Sequence, residues 1–421
     1  MSAWFIIDKR SSENRNPFSD DLSVIHPLKR HNCKHQATYC RKRISVISKE
    51  ANNISRAIPA LLYSPLKYLS DKENMMGLKS WLGIIFIGAT VWLASCGQSG
   101  GTSSKGKPER VVMLNVSYDP TREFYREYNP FFQHYWQKTH RQEADIRLSN
   151  GGSGKQSLTV QNGLKADVVT LALASDIDAL HHSKAGRQLL SADWQKALPH
   201  NSTPYTSTIV FLVRKGNPKQ IHDWDDLVKG DVQIITANPK TSGGARWNFL
   251  SAWAYAQEKG GDAAAEQFVS ELYRRVPVMD AGARGSTITF TRRGLGDVLL
   301  VWENEAHLAL QENPNQFEII TPSISMLCEP PVAVVSEVAK EKGTEQIAKT
   351  YLEMLYSKEA QRMAARHFYR PTDEAVRAEF KTRFPDLKLV GIDETFGGWR
   401  KAQARFFNDG GVFDKIYRPQ S

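Results

Sequence analysis

The stretch VQIITANPKTSGGARWNFLSAWAYAQE, Val232 to Glu258, carries the reading of the fold. Val232 to Thr236 is a short β-branched apolar run of strand type, and Arg246 to Glu258 has helical character. Between them lies a polar, glycine-containing turn, Asn238 to Arg246. A strand, a donor-rich turn and a helix in that order form the repeating unit of α/β proteins, whose ligands bind where strands end and helices begin.

The same unit recurs in both directions along the chain. Strands are predicted at Arg110–Val116, Asp167–Leu173, Thr208–Val213, Val276–Met279, Asp297–Trp302, Phe317–Thr321 and Val332–Val335. Helices are predicted at Thr121–His140, interrupted at Pro130, and at Ala263–Arg274 and Asn304–Glu312. Beyond Ser336 the pattern is mainly helical as far as Phe407. The alternation predicts α/β layers with largely parallel sheets, and a length of 421 residues predicts more than one lobe.

Composition excludes several classes. With 41% hydrophobic and 24% charged residues the chain is neither a disordered nor an all-membrane protein. The net charge of +10 suggests nucleic acid until its distribution is read. Residues 1–75 hold 13 Lys and Arg against 7 Asp and Glu, net +6, which leaves 42 against 38, net +4, for the rest. The main body is nearly neutral and lacks a basic repeat interleaved with aromatics, so no nucleic-acid partner is expected.

Trp81 to Ala94, WLGIIFIGATVWLA, is an uncharged run of 14 residues behind Lys79. It is shorter than the ~20 residues that span a bilayer and matches the core of a secretory signal peptide. Leu93-Ala94-Ser95-Cys96 resembles the lipobox of bacterial lipoproteins, which implies lipidation of Cys96 and a mature chain beginning there. The expectation is therefore a signal peptide over 76–95 and a flexible Gly/Ser-rich tether over 96–108. Residues 1–75 are expected to be a disordered upstream extension outside the functional protein. Cys33 and Cys40 lie in that extension, so Cys328 is the one thiol left and no internal disulfide is expected.

Four turns offer hydrogen-bond donors: Ser149 to Gln156, Asn238 to Arg246, Asp280 to Thr287 and Trp302 to Glu305. The first is not a phosphate-binding P-loop, because Ser149 replaces the leading glycine and Gln156 the magnesium-binding hydroxyl. It also misses the GxSxG nucleophile elbow, since Lys155 takes the final glycine position. No catalytic constellation appears, the pair His181-His182 included, and no enzyme, metal or cofactor is expected. Taken singly, Gly243-Gly244 also suits a tight turn and Trp302 a core position. Together, three glycine-containing helix starts and a tryptophan at a strand end, with no His, Cys or carboxylate cluster, describe a concave site made of donors.

Such a site suits a fully deprotonated oxyanion such as sulfate. At roughly 1.5–3 kcal/mol per hydrogen bond to a charged group, half a dozen donors could reach a micromolar Kd after the costs of ordering and desolvation. A protonated phosphate would bring a donor that finds no acceptor.

LNVSYDPTREFY (114–125), GGSGKQ (151–156), YTSTIVFLVRKGNPKQIHDWDDL (205–227), NPKTSGGARWN (238–248), GARGST (282–287) and WENEA (302–306) resemble the sulfate-binding proteins of bacterial ABC sulfate/thiosulfate importers. The resemblance covers Arg110 to Tyr417. It implies the two-lobed periplasmic binding protein fold, type 2, with mixed sheets flanked by helices and two hinge crossovers. By chain order the lobes would be 109–207 plus 321–421, and 208–320. It further implies that sulfate accepts hydrogen bonds from the backbone N–H groups of Asp119, Ser153, Gly243, Gly244 and Ala283, from the Ser242 hydroxyl and from the Trp302 indole. Arg246 would orient its helix start without touching the anion. The partners implied are sulfate or thiosulfate, an ABC permease with its ATPase, and a lipid anchor in the cell envelope, with the binding protein a monomer. The alternatives are a receptor for another oxyanion, molybdate or phosphate, and an anion sensor without transport.

Overall fold

A computed structural model describes residues 110–181 and 186–417. The signal peptide, Cys96, the tether and the upstream extension with Cys33 and Cys40 lie outside the described residues. Two sheets organise the chain. The first has β1 (Arg110–Tyr118), β2 (Glu143–Gly151), β3 (Val168–Thr170) and β9 (Val332–Val334) in the order β9-β3-β1-β2. Its strands run parallel except β9, which is antiparallel to β3.

The second sheet contains β4 (Ile209–Arg214), β5 (Ile234–Ala237), β6 (Met279–Asp280), β7 (Val298–Trp302) and β8 (Phe317–Ile320) in the order β6-β5-β7-β4-β8. β5 is parallel to β6 and β7, whereas β4 is antiparallel to β7 and β8. Nearly every residue of β4, β5 and β7 is buried. That explains why these strands read as continuous apolar runs and not as alternating ones.

The chain passes from the first sheet to the second near Thr206 and back after Ile320. The two passages pair at Ser207 and Cys328, which exchange N–H···O bonds of 2.9 Å in each direction. Each passage also makes a short ladder with the C-terminal region, Tyr205–Thr206 with Arg370–Pro371 and Ser325–Met326 with Leu389–Val390.

Helices connect the strands: α1 (Arg122–His140), α2 (Ser153–Gln161), α3 (Ala174–His181), α4 (Gly243–Arg274), α5 (Ala283–Thr291) and α6 (Glu303–Glu312). Pro130 does not interrupt α1, contrary to the sequence expectation. An interior proline removes one backbone bond. The buried face of Phe124, Tyr125, Tyr128, Phe132 and Trp136 carries the helix across it. The two helices expected at 246–258 and 263–274 form α4, bent where Gly261 adopts φ 72°. The strand expected at 276–279 is displaced to Met279–Asp280.

The last helices, residues 392–416, grouped with the first lobe by chain order, place their rings on α4. Trp399 packs on Trp247 at 4.6 Å, Phe406 on Trp253 at 4.8 Å and Phe407 on Phe249 at 5.2 Å between ring centroids. Periodicity cannot show such a return, because it reports which face of a helix is apolar and not which neighbour covers it.

Candidate functional site

The donors expected from sequence are brought to one place. Ser153 is the first residue of α2, Gly243 and Gly244 open α4, and Ala283 opens α5. The first N–H groups of a helix have no acceptor within it and carry its partial positive charge. Asp119 begins a short 3-10 turn directly after β1.

The spacing between these starts is set by missing side chains. A β-carbon on Gly243 would lie 2.6 Å from Ala172 Cβ and 3.0 Å from Ser153 Cβ, so α2 and α4 meet at van der Waals distance. One on Gly152 would lie 2.7 Å from the Thr241 carbonyl oxygen, and one on Gly282 would lie 2.7 Å from Asp119 Oδ2. One on Gly244 would overlap Trp302 Nε1. The starts of α2, α4 and α5, the Asp119 turn and the Trp302 indole therefore border one small space, and only glycine permits the approach at Gly152, Gly243, Gly244 and Gly282.

Side chains fix the donors. Ser242 caps α4, its hydroxyl oxygen accepting from Ala245 N at 3.4 Å, which leaves its O–H free to donate. Ser153 Oγ donates to Asp176 Oδ2 at 2.6 Å and accepts from Ala172 N at 3.0 Å, so its backbone N–H is the group left for the site. Trp302 is 1% exposed and packs against Tyr118 with the rings tilted by 43° and centroids 5.4 Å apart. Its Nε1 is buried with no hydrogen-bond acceptor among the described residues. Burying an unpaired N–H costs about 1–3 kcal/mol, so this atom marks a position for an acceptor.

Charges surround the donors but are paired among themselves. Arg246 Nη1 donates to Asp176 Oδ1 at 2.9 Å and its Nε to the Pro239 carbonyl at 2.8 Å. Arg246 thus holds the loop before α4. Arg284 lies 3.7 Å from Glu123, 3.7 Å from Glu305 and 3.4 Å from Glu312. Burial pushes the Glu305 carboxyl up to about 7 despite Arg284, and raises that of Asp119 as well. Among the described residues no group of three or more His, Cys, Asp or Glu is arranged to hold a metal ion.

Asp176, Glu123 and Glu305 were not singled out by sequence reading. Glu305 stood inside the WENEA motif, but Asp176 carried no local signal. Its role comes from lying between Ser153 and Arg246, 23 residues before it and 70 after it.

Residues 117–370 match the family model described as bacterial extracellular solute-binding protein. The chain belongs to that family. Among relatives of this solute-binding protein, the sulfate-binding protein of Escherichia coli is 56% identical over 309 residues, 73% of this chain and 93% of the relative. The thiosulfate-binding protein of Pseudomonas aeruginosa is 47% identical, covering 76% of this chain and 95% of the relative. Among solved structures, the sulfate-binding protein SubI from Mycobacterium tuberculosis superposes with a TM-score of 0.63 at 32% identity, over 71% of this chain and all of that one. The fold is the two-lobed α/β architecture expected from sequence, with mixed sheets flanked by helices.

Proposed function

We propose that this chain is the substrate-binding component of an ABC importer and captures sulfate, with thiosulfate as a second ligand. The observation that carries the reading is the Trp302 indole N–H, buried without an acceptor where three helix starts and the Asp119 turn meet. In this reading the anion accepts from the N–H groups of Asp119, Ser153, Gly243, Gly244 and Ala283, the Ser242 hydroxyl and Trp302. No catalytic group takes part. Convergent dipoles stabilise the charge, while Arg246 and Arg284 stay paired with carboxylates.

Anion capture favours the closed arrangement, because donors from both sheets reach the anion only when they are apposed. The lobes would be 109–207 with 321–391, and 208–320 with the C-terminal helices packed on α4. The closed form would dock on a permease served by an ATPase. The LASC motif, outside the described residues, supports a periplasmic lipoprotein anchored through Cys96.

Isothermal titration of protein stripped of bound anion, with sulfate, thiosulfate, phosphate and molybdate in turn, tests the reading. Tight one-to-one sulfate binding without response to phosphate is expected. Silence toward sulfate with heat from phosphate or molybdate would overturn it.

A further inference from the structure

Asn304 stands two residues beyond Trp302, in the first turn of α6, and is 3% exposed. Its amide nitrogen carries two hydrogens, and both have acceptors outside the second sheet. Asn304 Nδ2 lies 3.3 Å from the Pro120 carbonyl oxygen and 3.1 Å from Tyr369 Oη. Pro120 directly follows Asp119. Tyr369 belongs to the aromatic core over the first sheet, with Phe124 and Tyr205.

The neighbouring contacts tie the same turn to the crossover. Glu303 N donates to the Thr208 carbonyl at 2.9 Å, and the Glu303 carboxylate accepts two bonds from Arg370, at 2.7 and 2.8 Å. Arg370 in turn pairs with Thr206 of the first passage between the sheets. The Glu303 contacts thus hold α6 to the hinge, Glu305 turns to Thr287 and Arg284 of α5, and the Asn304 amide is the group of this turn that hydrogen-bonds to the segment following Asp119.

We propose that Asn304 is a positioning residue that fixes the Trp302 indole and the Asp119 N–H relative to each other, so that apposition of the lobes aims both donors at once. The inference rests on the anion-binding reading above. Hydrogen bonds weaken steeply with misalignment, and donors on segments from two different sheets share no covalent constraint closer than the crossover. A single planar amide with one hydrogen on the Asp119-Pro120 turn and its own backbone two residues from Trp302 supplies that constraint. Asn304 itself touches no anion.

The test compares the full-length wild type with Asn304→Ala and Tyr369→Phe by sulfate titration, stopped-flow tryptophan fluorescence and thermal unfolding without anion. Asn304→Ala is expected to weaken sulfate roughly tenfold or more, chiefly through faster dissociation, with the ligand-free melting temperature little changed. Tyr369→Phe, which removes one acceptor, is expected to weaken binding less, and its effect is expected to vanish in the Asn304→Ala background. Unchanged sulfate affinity in Asn304→Ala would overturn the inference while leaving the anion reading intact. So would a loss of affinity matched by collapse of the ligand-free fold, or additive effects in the double variant. A wild type that does not bind sulfate would overturn the anion reading and this inference with it.

Discussion

Gly244 and Trp302 are in such close approach that a β-carbon on the glycine would overlap the indole Nε1. One residue opens α4 and the other ends β7, 58 positions later in the chain, and the contact forms one wall of the proposed anion site. In that proposal the glycine is required twice, for its N–H and for its lack of a side chain.

Gly244→Ala should therefore keep the backbone donor and still lose binding, because the methyl displaces the indole. A reduction in sulfate affinity of at least ~100-fold is expected, combining one lost donor with overpacking of about 1–3 kcal/mol. Titration calorimetry measures it. Gly163→Ala, at a turn where a β-carbon meets nothing but φ 110° strains any side chain, serves as the control for a destabilising glycine change away from the site, and should leave sulfate affinity unchanged.

Trp302→Phe removes the indole N–H and keeps most of the ring. At about 1.5–3 kcal/mol for a hydrogen bond to an anion, a 10- to 150-fold rise in Kd is expected. Thermal stability without anion should change little, since relief of the orphaned donor offsets the cavity left by the smaller ring. An unchanged Kd would contradict the assignment of Nε1 to the ligand.

Asp176→Asn tests the pair that joins α3 to α4. Arg246 and Asp176 side chains are 8% and 6% exposed, so removing one charge strands the other. A destabilisation of roughly 3–5 kcal/mol is expected, read as a lower denaturant midpoint. The variant should also bind sulfate less well, because the amide keeps one acceptor oxygen for two donors, Ser153 Oγ and Arg246 Nη1, which loosens the anchor of α2 or of α4.

Glu305 gives a pH dependence of stability. Its carboxyl is raised by burial from the ordinary value of 4.5 to about 7, so between those values the folded protein holds a proton that the unfolded chain releases. Its contribution is fully present below pH 4.5 and is lost as pH rises toward 7. Glu305→Gln should melt a few degrees above wild type at pH 8 and close to it at pH 4. Equal melting temperatures at both pH values would count against an ionised, destabilising Glu305.

The donor turns were legible because each is a local pattern. A strand followed by glycine or serine and a helix shows both the orphaned N–H groups and the small side chains that let an anion approach. Ser242, Gly243, Gly244, Ser153, Ala283 and Trp302 could all be placed at strand ends or helix starts from spacing, and the resemblance in NVSYD added Asp119. The partners that hold these groups were not legible. Asp176 is an ordinary helical aspartate until Arg246 and Ser153 reach it, and Asn304 is one polar residue among several in WENEA. The aromatic return of residues 392–416 onto α4 is equally invisible, since Trp399 and Phe406 read only as apolar positions.

By itself the sequence determined the α/β layering, the near-neutral main body and the donor-rich turns at strand ends and helix starts. Backbone periodicity and turn chemistry are encoded over a few residues, and so are the N–H groups a helix start exposes. Tertiary structure alone decided that Gly244 meets Trp302, that Gly282 meets Asp119, and that Asn304 reaches Pro120 and Tyr369. Those contacts join residues tens to hundreds of positions apart, and only the packing of two sheets and their helices brings them within hydrogen-bonding distance.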